Sequence, residues 1–136
     1  MGEIRLSKII KAKEEWKKIL SDDVFEITRN QGTEPPFSGH YNQHYDDGVY
    51  VCICCDKELF DSKSKFSSGC GWPSYSNSID NSSVTESQDN SCGMDRIEIK
   101  CSMCDSHLGH VFNDGPGPEG LRYCINSAAI LFKKRM

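Results

Sequence analysis

Cysteine is the residue type in this sequence whose number and spacing most directly suggest chemistry, with eight thiols in 136 residues. Four of them form two pairs, Cys52 with Cys55 and Cys101 with Cys104, and 45 residues separate the pairs. Two intervening residues let one tight turn direct both sulfurs at a single ion, and two such turns complete a tetrahedron. We therefore expect one structural Zn²⁺ bound by four thiolates, with no coordination position left open for catalysis.

Other ligand sets have to be weighed against this one. A single pair of this spacing is also typical of a redox dithiol. A mixed ligand set is offered by a series that runs Cys101, Cys104, His107 and His110. That set would leave the first cysteine pair without a function, so four thiolates are the simpler assignment. Cys54 and Cys92 stand outside the pattern, and we interpret them as bystanders.

The two remaining thiols have distinctive neighbours, and the first to consider is Cys124 in RYCINSAA. Side chains alternate along an extended strand, so Arg122, Cys124 and Asn126 are predicted to share one face. An adjacent guanidinium favours the thiolate, which is the nucleophilic form of cysteine. The residues predicted to point the other way, toward a core, are Tyr123, Ile125, Ala129 and Leu131.

A histidine is predicted to lie near this thiol. Residues 113–120, NDGPGPEG, are typical of a turn, so the flanking segments would form a hairpin in which Phe112 faces roughly Leu121. This register sets His110 beside Tyr123 or Cys124. A Cys/His arrangement activates a thiol or protonates a leaving oxygen, whereas a histidine hydrogen-bonded by the backbone would do neither. The same register argument favours His107 less.

Cys70 is the second distinctive thiol, because it lies between Gly69 and Gly71 and its backbone is therefore predicted to move freely. A mobile second thiol is what a resolving cysteine needs, since it must reach a sulfenic acid at Cys124 and condense to a disulfide. Trp72 is either part of the core or a wall for an apolar ligand group.

The elements that must position these residues are predicted to be mainly strands. Residues 7–20 have the apolar spacing of an amphipathic helix that Ser7 could cap, and Ser21 could cap a second short helix. Glycines and prolines make residues 28–48 a loop, and residues 76–92 are predicted to be an exposed loop. The strand candidates are 49–51, 59–60, 96–100, 107–112 and 122–132. We expect one mainly β domain over residues 1–136.

Composition excludes several classes of function. The net charge of −4 gives no electrostatic reason to expect a nucleic-acid or membrane partner. The charged N-terminus lacks the apolar stretch of an export signal, so a secreted disulfide scaffold is disfavoured and a cytoplasmic location is expected. In a reducing compartment, metal binding and redox chemistry are the remaining uses for so many cysteines.

Four segments together resemble the B-type methionine-R-sulfoxide reductases, and with the zinc pairs the match covers about residues 24–132. They are TEPPFSG at 33–39, SGCGWPSY at 68–75, HLGHVFNDGP at 107–116 and RYCINSAA at 122–129. The resemblance implies two antiparallel sheets with short N-terminal helices and a zinc site of two CxxC knuckles. It also implies reduction of peptide-bound or free methionine-R-sulfoxide by a monomer that thioredoxin regenerates.

The resemblance further implies a role for each matching residue. Cys124 would attack the sulfoxide sulfur and become a sulfenic acid, and Cys70 would then resolve it as a disulfide. Trp72 would hold the methyl group of the substrate. The implied active-site polar residues are His107, His110 and Asn126, with His110 protonating the sulfoxide oxygen, and the implied supporting charges are Asp114 and Arg122.

Two rival functions fit part of the sequence. A zinc ribbon that only binds a protein or nucleic acid would explain the cysteine pairs, but it would need neither Cys70 nor Cys124. A general disulfide oxidoreductase relies on a reactive CxxC pair, and here both pairs are better used by the metal.

Overall fold

Two short helices begin the part of the chain that the computed structural model describes, namely residues 11–80, 82–90, 93, 95–116 and 120–134. Helix α1 spans Lys13–Ile19 and α2 spans Asp22–Arg29. The predicted cap at Ser7 lies outside the described residues. The Ser21 hydroxyl accepts a hydrogen bond from the backbone N–H of Val24 at 3.4 Å, so the predicted cap of the second helix is confirmed.

Within those residues the strands form two antiparallel sheets, which confirms the predicted mainly β fold. The three-stranded sheet has the order β2–β1–β9, with bounds Glu58–Asp61, Gly48–Cys52 and Ile130–Lys134. The six-stranded sheet has the order β3–β4–β8–β7–β6–β5. Its strands are Lys65–Phe66, Ser74–Tyr75, Arg122–Ile125, His107–Phe112, Arg96–Cys101 and Val84–Asp89. None of the described helices has the length and apolar character needed to span a membrane.

The single strand predicted over residues 122–132 is wrong. Strand β8 ends at Ile125, a 3₁₀ helix spans Ser127–Ala129, and β9 begins at Ile130 in the other sheet. The chain crosses between sheets here, which resets the alternation of buried and exposed side chains. Ile130 is therefore buried at 1% exposure, whereas Leu131, predicted to face the core, is 42% exposed.

The exposed loop predicted over residues 76–92 is also wrong in part, because it contains β5. This strand pairs with β6 in continuous register, from Val84 opposite Cys101 to Asp89 opposite Arg96. It lies at the edge of its sheet, where polar side chains remain in contact with water. Its polar composition therefore did not prevent strand formation. The strand was not predicted because it lacks the apolar alternation by which the other strands were recognised.

The hydrophobic core lies between the two sheets. The rings of Phe60 in β2 and Tyr75 in β4 stack at 4.4 Å, and Tyr50 in β1 meets Tyr75 edge-on at 5.4 Å. The helices join this core through Trp16, which is 1% exposed, and the guanidinium of Arg29 lies 4.2 Å from the Trp16 ring centre. Burial of these large rings contributes much of the free energy that stabilises the packing of the sheets and helices.

Polar residues line up across the other face of the six-stranded sheet. Consecutive cross-strand partners form a row in the order Ser87, Glu98, His110, Cys124 and Ser74. Directly opposed residues of antiparallel strands share a face, so this row places one residue from each of five strands on the same face of the sheet. The neighbouring row, on the core side, contains Ile99, Gly109 and Ile125. The sheet thus separates an apolar interior from a polar face.

Candidate active site and metal centre

Cys70 and Cys124 come together although they are 54 positions apart in the sequence, and their sulfur atoms lie 3.7 Å apart. Cys124 is carried by β8, and Cys70 by the loop that enters β4. Ser74 in β4 lies directly opposite Cys124, so the β4–β8 register brings this loop to the thiol. The structure therefore assembles the two thiols that the sequence singled out.

A cavity of about 170 Å³ opens over this pair. That volume holds several water-sized groups, so a small side chain of a ligand fits it. The lining residues are Thr33, Cys70, Trp72, Arg96, Gly109, His110, Phe112, Arg122, Cys124 and Asn126. Most of the predicted site residues thus line one cavity, and the sequence analysis missed four further lining residues, Thr33, Arg96, Gly109 and Phe112.

The electrostatic environment of Cys124 differs from the one predicted. Burial, followed by the neighbouring Cys70, raises the pKa of the Cys124 thiol to about 12. Arg122 does lower this pKa, as expected of a guanidinium, but the two opposing effects outweigh it. At neutral pH this raised pKa favours the thiol form of Cys124 over the thiolate.

Cys70 has the opposite tendency. Burial is the largest single influence on its pKa and raises it, but hydrogen bonds, first from Ser68 and then from Ser74, bring the net pKa below the ordinary value. The Ser68 hydroxyl lies 3.0 Å from the Cys70 sulfur and the Ser74 hydroxyl 3.4 Å from it. Of the two thiols, Cys70 is thus the one more readily ionised.

The two glycines that flank Cys70 have different surroundings. Nothing lies within 4 Å of where a Cβ would stand at Gly69, but a Cβ at Gly71 would lie 2.7 Å from that of Pro36. The Phe37 N–H also donates to the Gly71 carbonyl at 2.7 Å. The loop is clamped after Cys70, and its thiol already lies beside Cys124 without a large displacement.

The hairpin register confirms that His110 lies opposite Cys124. Phe112 pairs with Arg122, one residue from the predicted partner Leu121. The Nε2 atom of His110 lies 2.7 Å from a carboxylate oxygen of Asp89, the last residue of β5. Because β5 was predicted to be a loop, this carboxylate could not be foreseen.

His107 is buried behind this site and does not line the cavity. Its Nδ1 atom lies 2.8 Å from a carboxylate oxygen of Glu98, and both side chains are almost fully buried. The His107 and His110 rings meet edge-on at 5.5 Å. Burial lowers the pKa of His107, which keeps the ring neutral. The mixed Cys/His ligand set considered above is therefore wrong, since each histidine is paired with a carboxylate.

Asn126 and Trp72 are tied together by Glu34, a residue that the sequence analysis missed. The backbone N–H of Glu34 donates to the side-chain oxygen of Asn126 at 3.0 Å, and the indole N–H of Trp72 donates to the Glu34 carbonyl at 3.0 Å. Glu34 is 8% exposed. The sequence does show a carboxylate next to two prolines in a loop, and this could have drawn attention to Glu34. A carboxylate that is buried usually has bonding partners that hold it there.

Asp114 and Arg122 form a two-pronged ion pair at the edge of the cavity. The Nε and Nη2 atoms of Arg122 donate to the two carboxylate oxygens at 2.8 and 3.2 Å. These hydrogen bonds lower the pKa of Asp114 and raise that of Arg122. The guanidinium also lies 4.6 Å from the Phe112 ring centre, so its position is set from two sides.

The four paired cysteines form a second, separate thiol cluster. All four sulfur atoms lie within 4.8 Å of one another, with Cys52 3.6 Å from Cys104 and Cys55 3.5 Å from Cys101. Sulfur atoms around a tetrahedral Zn²⁺ with ~2.3 Å bonds stand about 3.8 Å apart. The donor set and spacing therefore fit a tetrahedral metal ion. Cys54 is outside this set, and Cys92 lies outside the described residues.

Both cysteine pairs are shaped by the same backbone turn. The carbonyl of Cys52 accepts the N–H of Asp56 at 2.8 Å, and that of Cys101 accepts the N–H of Asp105 at 2.9 Å. Asp56 and Asp105 adopt left-handed φ values of 67° and 63°. Arg29 of α2 supports one ligand, with Nη2 3.2 Å from the Cys104 sulfur. Each knuckle is thus shaped by the polypeptide itself, as the spacing predicted.

A pair of adjacent thiols in a cavity, together with a separate four-thiol cluster that fits a metal ion, is typical of a thiol oxidoreductase with a structural metal site. Comparison with known proteins agrees, since a sequence model of the SelR domain matches residues 20–134. The chain belongs to this family, the B-type methionine-R-sulfoxide reductases, and this confirms the resemblance noted from its motifs.

Curated relatives carry the name peptide methionine sulfoxide reductase MsrB. One from Pseudomonas entomophila is 55% identical over 130 residues, covering 96% of this chain and 99% of the relative. Another from Herminiimonas arsenicoxydans is 53% identical over 125 residues, covering 92% and 91% respectively. A third, from Pseudomonas fluorescens, is 56% identical over 125 residues, covering 92% and 95%.

Proposed function

We propose that this protein reduces methionine-R-sulfoxide in peptides and proteins to methionine, with thioredoxin as the reductant. The observation that carries the proposal is the 3.7 Å approach of the Cys70 and Cys124 sulfurs at a cavity lined by Trp72 and His110. Membership of the SelR family supports the sulfoxide as substrate. Preference for the R epimer follows from the family alone.

In the first step, His110 accepts the thiol proton of Cys124 as its sulfur attacks the sulfoxide sulfur, and then delivers that proton to the sulfoxide oxygen. The sulfur–oxygen bond of the substrate and the transient bond between the two sulfurs break as the hydroxyl passes to Cys124, so methionine departs and Cys124 is left as a sulfenic acid. Because the pKa of Cys124 is raised to about 12, its thiol carries the one proton that the sulfoxide oxygen must receive. Trp72 offers an apolar surface to the methyl group of the substrate.

In the second step, Cys70 attacks the sulfenic sulfur of Cys124. A disulfide forms, the sulfur–oxygen bond breaks, and the oxygen leaves as water. The lowered pKa of Cys70 suits it to act as the nucleophile at this stage. The two thiols of thioredoxin then reduce the disulfide by thiol exchange, which restores both cysteines.

The four-thiol cluster would hold one Zn²⁺ in a structural role. Four cysteine thiolates are typical of structural zinc sites, and they leave no position for substrate. When bound, the ion supplies folding free energy and no step of the reaction. We further propose that the chain acts as a monomer consisting of one domain in a reducing compartment, the cytoplasm, which suits its many thiols.

The proposal is tested with a peptide that contains one methionine sulfoxide, offered as each epimer separately with thioredoxin, its reductase and NADPH. The wild-type protein should consume the R epimer, and Cys124→Ser should not, with unchanged zinc content and circular dichroism. Cys54→Ser is the matched control and should keep wild-type activity, because Cys54 lines neither the cavity nor the four-thiol set. Wild-type activity of folded Cys124→Ser, or consumption of neither epimer by wild type, would overturn the proposal.

A further inference from the structure

Asp89 is the residue outside the predicted site that bears most directly on its chemistry. Its carboxylate oxygen lies 2.7 Å from His110 Nε2, and the two side chains are only 12% and 11% exposed. A carboxylate can only accept a hydrogen bond, so the short contact requires a proton on Nε2. The remaining ring nitrogen, Nδ1, then carries a lone pair and is the one that can accept a proton.

Two features of the sheet hold the Asp89 carboxylate in this orientation. Asp89 is the last residue of β5 and lies directly opposite Arg96 of β6, so the strand register delivers it to the cavity rim. The Arg96 guanidinium lies 3.6 Å from the same carboxylate oxygen that contacts His110. Arg96 and His110 both line the cavity, and the Asp89 carboxylate contacts both of them without lining the cavity itself.

We infer that Asp89 is a positioning residue for sulfoxide reduction, which fixes the ring orientation and the Nε2-protonated tautomer of His110. The inference rests on the proposed function. The unprotonated Nδ1 of this tautomer can accept the thiol proton of Cys124 and pass it to the sulfoxide oxygen, whereas a ring whose orientation and tautomer vary would present an unprotonated nitrogen only part of the time. Asp89 removes that variation without itself touching the substrate.

Asp89→Asn is the sharpest test, because it keeps the size of the side chain while its amide can donate to Nε2. An amide that donates there forces the proton of His110 onto Nδ1. We expect the single-turnover rate at saturating R-sulfoxide to fall about 10-fold or more, with little change in KM, since proton transfer by a positioned group typically contributes at least that much. Asp89→Glu keeps a carboxylate and should recover part of the rate.

The second readout is the tautomer of His110, observed in ¹⁵N–¹H correlation spectra of the holoprotein with ¹⁵N-labelled histidine. The wild-type ring should show the Nε2-protonated pattern, and Asp89→Asn should shift it toward Nδ1. Asp95→Asn is the matched control, since Asp95 is an exposed carboxylate between β5 and β6, and it should change neither readout.

A wild-type rate for Asp89→Asn would overturn the inference, as would an unchanged tautomer in that variant. A rise in KM without a fall in the single-turnover rate would also overturn it, because Asp89 would then act through Arg96 on binding. His110→Ala, measured in parallel, separates the two proposals. If it keeps the wild-type rate, the proposed role of His110 fails; if it is inactive while Asp89→Asn is active, only the role of Asp89 fails.

Discussion

The carboxylate of Glu34 accepts a hydrogen bond from the backbone N–H of Ser127 at 2.9 Å, across 93 residues of sequence. Its other oxygen accepts the N–H of Ala128 at 3.0 Å. These N–H groups begin the 3₁₀ helix that follows β8, so the carboxylate caps this turn. A Cβ at Gly39 would lie 2.2 Å from the Ser127 hydroxyl and 2.3 Å from the Glu34 carboxylate, so a larger residue there would have to displace these side chains. Glu34 therefore locks the chain just beyond Cys124.

Removal of this cap should destabilise the protein. Glu34→Ala leaves two N–H groups without their acceptor in a mostly buried site, and we expect a loss of roughly 2–4 kcal/mol in the free energy of unfolding. Glu34→Gln keeps one acceptor oxygen and should lose less. Urea unfolding measures both, and Glu86→Gln, at an exposed position of β5, is the control. Equal stability of Glu34→Ala and wild type would contradict the assigned role.

Replacement of Cys70 should separate the two steps of the reaction. Cys70→Ser should reduce one equivalent of R-sulfoxide and then stop with thioredoxin, because no thiol remains beside Cys124 to resolve the sulfenic acid. Rapid-quench measurement of methionine, with dimedone labelling of Cys124, follows both events. Continued turnover with thioredoxin at the wild-type rate would show that another thiol resolves Cys124.

The same variant should change the reactivity of Cys124 itself. The neighbouring Cys70 is, after burial, the main cause of the raised pKa of Cys124. Its removal should lower that pKa and speed alkylation of Cys124 by iodoacetamide at pH 8, since the thiolate is the reacting form. Peptide mass spectrometry assigns the modified thiol. Slower alkylation than in wild type would contradict the proposed coupling of the two thiols.

Loss of the metal should unfold the domain, rather than abolish sulfoxide reduction in a protein that stays folded. Structural zinc contributes on the order of 10 kcal/mol, comparable with the entire stability of a domain of this size. Cys101→Ser should therefore bind less than one equivalent of zinc and lose its cooperative thermal transition, whereas Cys54→Ser should keep both. Elemental analysis and calorimetry check the result. A metal-free Cys101→Ser protein that melts like wild type would argue against a structural centre.

His107 should make stability depend on pH. Burial lowers the pKa of this ring below its ordinary 6.5, so the unfolded chain binds its proton more readily than the folded protein. The free energy of unfolding therefore decreases as pH falls from 6.5 toward the lower folded-state pKa. Above pH 6.5 the ring is neutral in both states, so it causes no such decrease. Glu98, whose pKa is also lowered, adds a loss in the same direction at more acidic pH.

The contribution of the histidine is isolated by comparing wild type with His107→Gln in urea unfolding at pH 7.5, 6.0 and 5.0. The variant should be less stable at pH 7.5 but should lose less stability than wild type on acidification, because glutamine does not titrate. Parallel losses in the two proteins would contradict the assignment.

Several features of this protein follow from local sequence pattern. The spacing of the cysteine pairs predicted both knuckles, since each depends on one short turn. The alternation in residues 96–100 predicted β6, and the turn at residues 113–120 predicted that His110 would lie beside Tyr123 or Cys124, of which the register selects Cys124. Long motifs identified the family because their order along the chain is itself specific.

Contacts between distant residues decided the rest. The segment after Cys124 divides between two sheets at a turn that Glu34 caps from a loop some 90 residues earlier, and no local pattern encodes that hydrogen bond. The edge position of β5 tolerates polar residues, so Asp89 and its contact with His110 became visible only once the sheet had formed. The pKa of Cys124 likewise depends on burial and on the neighbouring Cys70, and both result from tertiary packing. The sequence determined which groups are present, and tertiary packing decided their partners and their charge.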